Sequence, residues 1–302
     1  FYQLCYLFQA GVPEWDADTT YYEGSICQVA GVLYRSLDDD NIDNDPTTEA
    51  DKWEEVIPNP TTGGVAGSYK NLKVVRASAT QVTVTADELV LENTDHEKVS
   101  VFGVNKTAAI TSSGAGGLDT GEEANVWYYI WIIRKSSDGT VAALLSASAT
   151  TPTLPAGYDQ KALVSAVHNT AGDFVDFTQD GRYVTYPTLV KVLSNVTNAN
   201  FTDVDVSAYV PVSISTRVIL NCFMAGTGSA SSGYGFHRKN GVTVDHSADV
   251  SLCDIQISNN NSTSIASSTQ VTQDLDDSGI FEEKNANGVL TESVRGYIIT
   301  KL

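Results

Sequence analysis

The residues whose types and spacing best suit chemistry are the rings between Trp15 and Trp53: Trp15, Tyr21, Tyr22, Tyr34 and Trp53, set among Gly24, Val29, Gly31 and Pro46. The segment is too short to bury that many rings in a core of its own, so some are expected to face water. A Trp or Tyr held flat at a surface offers an apolar, electron-rich face to the C–H side of a sugar while its polar atom stays hydrated. Glycan contact through Trp15, Tyr21, Tyr22, Tyr34 and Trp53 is therefore the first functional expectation. The alternative is that Trp15, Tyr34 and Trp53 close a miniature core holding three short strands together.

Carboxylates come second. Glycoside hydrolysis needs two carboxyl groups roughly 5–10 Å apart across one bond, one of them with a raised pKa. Glu122-Glu123, Asp274-Asp276-Asp277 and Glu282-Glu283 are candidates, but with 37 acidic residues such pairs arise by chance. Neighbours on a strand also point to opposite faces. No catalytic residue is assigned, and no Gly-x-Ser-x-Gly elbow or phosphate-loop Lys is present. His237 and His246 flank the turn signal Lys239-Asn240-Gly241 and could meet across a hairpin to hold a metal, although two such histidines are more often simply exposed strand residues. The run from Asp38 to Asp45 alternates oxygen ligands, yet it lacks the Gly and the bidentate Glu of a calcium loop. No metal or cofactor is expected.

The order Trp15, Tyr21-x-x-Gly24, Gly31-x-x-Tyr34, Pro46 and Trp53 resembles the small chitin- and cellulose-binding modules of secreted polysaccharidases, and their counterparts in bacteriophage tail fibres. The resemblance covers residues 15–53 and implies three short strands. Sugar-binding members carry further exposed aromatics before the last Trp, where this chain has the acidic run, so it implies the fold more strongly than the sugar site. A second resemblance spans residues 126–181: the strand with Tyr129 and Trp131, the turn Asp138-Gly139, the phrase Pro152 to Tyr158, the strand 163–167 and the piece from Phe174 to Gly181. Together they look like a β-domain of phage tail-fibre and tail-tip proteins. Both resemblances imply a virion protein of a tailed bacteriophage, a homotrimeric tail-fibre or tail-tip component acting outside the cell. Its implied partners are host cell-surface glycan and other virion proteins. A non-adhesive head-fibre, decoration or collar protein is the alternative, and an accessory module of a secreted polysaccharidase the third option.

The elements that must position these residues read as strands. Ser, Thr, Asn, Asp, Gly and Val dominate, which suits pleated surfaces and tight turns. The fold expected is all-β: a small three-stranded module over 1–57, then two jelly-roll-like β-sandwiches over 58–186 and 187–302. The first boundary rests on Pro58 to Gly64 and the second on Gly181 to Pro187. Strands are expected at 72–75, 81–85 and 88–92, with 126–135 as a central strand buried on both faces and about seven more beyond 187. The loops 226–235 and 259–264 would form a distal tip, adding Tyr234 and Asn260 as further glycan contacts.

A net charge of −19 and a pI near 4.4 disfavour nucleic acid and anionic bilayers as partners. No run is long enough for a membrane-spanning helix. The apolar start Phe1 to Val12 lacks the basic beginning and cleavage site of a signal peptide. It reads as an attachment segment, and the absence of an initial Met suggests that a longer polypeptide preceded it. Cys5 with Cys27, and Cys222 with Cys253, could pair, or all four could remain free buried thiols, as suits a virion protein assembled in a reducing cytosol.

Overall fold

The computed structural model describes residues 12–30, 32–56, 65–227, 232–245, 247–258 and 264–301. The chain is all-β: among the described residues the sole helical piece is a 3-10 turn at Val250–Leu252. It divides into two compact units, 1–63 and 64–302.

In the first unit β1 (Ile26–Val29), β2 (Val32–Ser36) and β3 (Trp53–Val56) form an antiparallel sheet in chain order. Its core is Tyr21, Cys27 and Trp53, with Trp15 and Tyr34 packed against them. The long β2–β3 connection is ordered from inside. Asn41, 2% exposed, donates from Nδ2 to Ser36 Oγ (2.9 Å) and to the Lys52 carbonyl (3.2 Å).

In the second unit β4 (Tyr69–Lys70), β5 (Lys73–Ser78), β6 (Gln81–Glu92) and β7 (Lys98–Ala109) are followed by β8 (Val126–Arg134), β9 (Val141–Ser146) and β10 (Gln160–Thr170). Then come β11 (Asp173–Phe174), β12 (Thr178–Asp180), β13 (Tyr183–Val196), β14 (Thr202–Asp205), β15 (Ser215–Thr227) and β16 (Ser232–Lys239). The chain closes with β17 (Ile255–Ser258), β18 (Ser264–Asp274), β19 (Ile280–Ala286) and β20 (Val289–Ile299). Thirteen of these strands form one sheet along the path β18-β15-β20-β13-β12-β5-β6-β10-β8-β9, with β4 and β7 on β6 and β11 on β10. A four-stranded sheet, β14-β19-β16-β17, completes the unit. Ile255, Ile257 and Phe281 of the small sheet share one hydrophobic cluster with Cys222, Met224, Leu290 and Val294 of the large one, so the two sheets face each other there.

The run 126–135 behaves as its composition dictates. β8 lies between β10 and β9, and its residues Tyr128 to Ile133 are all buried. The boundary expected at 181–187 is corrected: it is a hairpin inside the large sheet, where Asp180 pairs with Tyr183 and Thr178 with Thr185 around Gly181 (φ 59°). Glycine there supplies a left-handed turn residue. Pro187 falls where the β13–β20 register breaks, between Thr185 and Val190, a position that needs no ladder N–H. Residues on both sides of the expected boundary share one core. Tyr297 packs edge-on against Trp127 (ring centroids 6.1 Å apart) and donates its hydroxyl to the Ala166 carbonyl at 3.1 Å. The strands expected at 81–85 and 88–92 are one continuous strand, β6, whose pairing with β7 skips over Asp87.

Candidate functional site

The aromatic residues of the first unit split by role. Tyr21 and Trp53 are 6% and 3% exposed and meet edge to face, with centroids 5.0 Å apart. The Tyr21 hydroxyl accepts from the Asp16 amide at 2.9 Å, and Trp53 Nε1 donates to the Asn44 carbonyl at 2.8 Å. These two rings are therefore core and have no free face for a sugar, and Trp15 and Tyr34 pack on them half-buried. Tyr22 alone of the five stands in water, at 55% exposure. The acidic loop beside them uses several of its carboxylates internally. Asp38 takes Lys52 Nζ at 2.7 Å, Asp39 accepts the Glu23 amide at 3.1 Å, and Asp45 accepts the Thr47 amide and hydroxyl, which hold its carboxyl below the usual range.

In the second unit Tyr234 lies half-buried on β16, and Asn260 and His246 lie outside the described residues. A groove of about 410 Å³ opens over β8 and β10, lined among others by Trp131, Asn93, Glu92, Lys161 and Ser213. Lys161 Nζ sits 5.5 Å from the Trp131 ring centre, and the indole N–H donates to the Ser148 carbonyl at 3.2 Å. Its lining sets an amide, a carboxylate and an ammonium around a largely apolar floor, in which Trp131, 5% exposed and covered by Lys161, is core rather than an open ring face.

The paired carboxylates do not converge across a cleft. Asp274 accepts from Arg217 at 2.7 Å, and Asp276 closes its own turn by accepting the Ser278 and Ile280 amides. Glu282 takes Arg238 through both oxygens, at 2.7 and 3.0 Å, while its neighbour Glu283 points the other way into the protein and is fully buried.

Glu283 belongs to a polar centre between the two facing sheets that sequence reasoning did not assemble. Cys222 on β15 pairs in register with Glu292 on β20, and His237 on β16 pairs in register with Glu283 on β19. The side chains of His237 and Glu292 are completely buried and Nε2 bonds directly to Glu292 Oε1. Nδ1 faces Asp254 Oδ2 at 3.1 Å. Cys222 Sγ lies 3.7 Å from the same Glu292 oxygen, and Asn198 Nδ2 donates to Glu283 Oε2 at 2.5 Å. Burial alone would depress the imidazole, but the Glu292 charge and the hydrogen bonds His237 makes with Asp254, Cys222 and Glu292 outweigh it and hold His237 well above its ordinary pKa. Burial pushes the Glu283 carboxyl up to about 7 against the Asn198 hydrogen bond. Glu283 Oε1 and Glu292 Oε2 are buried without a hydrogen-bond partner.

Of the two readings open for the cysteines, the structure has Cys27, Cys222 and Cys253 as free thiols; Cys5 lies outside the described residues. Burial raises all three thiols, Cys27 to about 11, and Cys27 and Cys222 are fully enclosed. Thiolate fraction and access together govern alkylation. Iodoacetamide applied to the native protein is expected to label Cys253 well before Cys27 or Cys222, with denaturant removing the difference. Peptide mass spectrometry reads this directly, and equal native labelling of the three would contradict it.

No protein-family model matches the chain, and no curated protein sequence matches it.

Proposed function

We propose that the chain is a virion protein of a tailed bacteriophage, a tail-fibre or tail-tip component that works as a homotrimer and binds host cell-surface glycan. The observation that carries this reading is the first unit. Trp15, Tyr21, Tyr34 and Trp53 build a separate three-stranded module of the kind the sequence resemblance implies, on a chain that is otherwise entirely β. Glycan contact falls to Tyr22 and, second, to the groove over β8 and β10 that Lys161 lines. Single contacts of this type are weak, and several copies on one particle supply avidity.

Burial of Tyr21 and Trp53 favours one second reading, a non-adhesive virion protein whose small module serves assembly alone. Light scattering on the purified chain, followed by sedimentation with bacterial cells, separates the two. The adhesive reading expects a particle of three times the 32.3 kDa chain mass that co-sediments with susceptible cells and loses binding on Tyr22→Ala combined with Lys161→Ala. An oligomer that stays in the supernatant with every cell type supports assembly alone, and a monomer contradicts the trimer.

A further inference from the structure

The buried centre between the sheets holds a thiol, an imidazole and a carboxylate whose ligating atoms, Cys222 Sγ, His237 Nε2 and a Glu292 oxygen, all lie within 4.8 Å of one another. We propose that this is a divalent-metal site of the class zinc occupies, with Cys222, His237 and Glu292 as three of its four ligands, that ties β15 and β20 of the large sheet to β16 of the small one.

Four observations converge on it. The first is ligand chemistry: a thiolate, a neutral imidazole and a carboxylate form a mixed donor set suited to zinc, whereas a hard cation such as Ca²⁺ or Mg²⁺ takes oxygen alone. Geometry is the second. Tetrahedral zinc with bonds of about 2.0–2.3 Å sets its ligand atoms roughly 3.3–3.8 Å apart. Cys222 Sγ and Glu292 Oε1 already stand 3.7 Å apart. His237 Nε2 and Glu292 Oε1 are directly hydrogen-bonded, and a bound ion takes the place of the proton between them.

The third observation is the outer partner. Asp254 accepts from Nδ1, which fixes the imidazole with Nε2 turned inward, the arrangement in which a carboxylate orients a metal-bound histidine. The fourth is a pair of unpartnered oxygens. Glu292 Oε2 and Glu283 Oε1 are enclosed with no donor, and a buried carboxylate oxygen in that state is costly. A doubly charged cation offsets the Cys222 thiolate and the Glu292 carboxylate and leaves the imidazole neutral, its Nδ1 proton still held by the Asp254 carboxylate. On binding, the Cys222 thiol proton and the proton between His237 and Glu292 pass to solvent. All three ligands come from different strands far apart in the chain, so the ion is bound as the sheets close rather than by a loop motif.

The test is metal content of the full chain expressed with zinc in the medium and purified without chelator. Elemental analysis is expected to find about one zinc per chain, falling at least tenfold in Cys222→Ser and in His237→Gln, while Cys253→Ser keeps it. Cys222→Ser nearly preserves side-chain size, so it reports on ligation even if His237→Gln does not fold. Cobalt exchanged into the wild-type chain is expected to show a thiolate-to-metal charge-transfer band that Cys222→Ser abolishes. Wild-type protein with no more zinc than the Cys222→Ser variant, and no such band with cobalt, would overturn the proposal and leave the centre as a hydrogen-bonded ion pair.

Discussion

Trp53→Ala is expected to unfold the three-stranded module of the first unit while the transition of the larger unit stays in place. Trp53 is 3% exposed, packs on Tyr21 and anchors the acidic loop through its bond to the Asn44 carbonyl. Truncating a buried Trp costs about 3–5 kcal/mol. A unit of this size buries too little surface to hold much more than that. Its hydrophobic cluster is separate from that of the larger unit, so the loss is not shared. Calorimetry and near-ultraviolet circular dichroism are expected to show the first unit's transition gone and the second unchanged. Tyr22→Ala, at an exposed position, is expected to stay within about 0.5 kcal/mol of wild type. A Trp53→Ala chain that keeps both transitions would show that these rings do not form the core of the module.

Gly296→Ala is expected to be the most damaging single methyl in the second unit. Gly296 lies on β20 between Thr185 of β13 and Ile219 of β15. A Cβ there would sit 1.9 Å from the Val184 carbonyl oxygen and 3.0 Å from the Thr185 Cα. Both are backbone atoms, so no rotamer change relieves the clash and β13 must part from β20. The expected cost is about 3 kcal/mol or more, the upper end of overpacking. In a unit of this length that lowers Tm by roughly 6–12 °C, or prevents soluble expression. Gly121→Ala, with nothing within 4 Å of its added Cβ, is the matched control and should leave Tm in place. Equal Tm values for the two variants would contradict the close β13–β20 approach.

Particular residues show how far the sequence could be read. The all-β class and β8 were legible because composition and an unbroken apolar run leave little alternative. The 181–187 boundary misled because a hairpin glycine and a bulge proline carry the same local signal as a linker. β19 escaped notice because its inward positions are Phe281, Glu283 and Asn285, which hide the two-residue apolar period. The same substitution occurs in β20, where Glu292 stands in phase between Leu290 and Val294. A carboxylate at an apolar phase is the one sequence signal that could have pointed to the buried centre. Its assembly was not readable, because Cys222, His237 and Glu292 are brought together only by pairing between distant strands and by the stacking of two sheets. The aromatic module was legible as a fold, whereas which rings face inward depended on the path of the acidic loop over Trp53.

Glycan binding is the central claim, and an array of bacterial surface polysaccharides probed with the purified chain tests it most directly. The account predicts binding to a restricted set of glycans that periodate oxidation of the array removes and that Tyr22→Ala with Lys161→Ala weakens. Binding to none of the glycans by an intact, folded oligomer would contradict it.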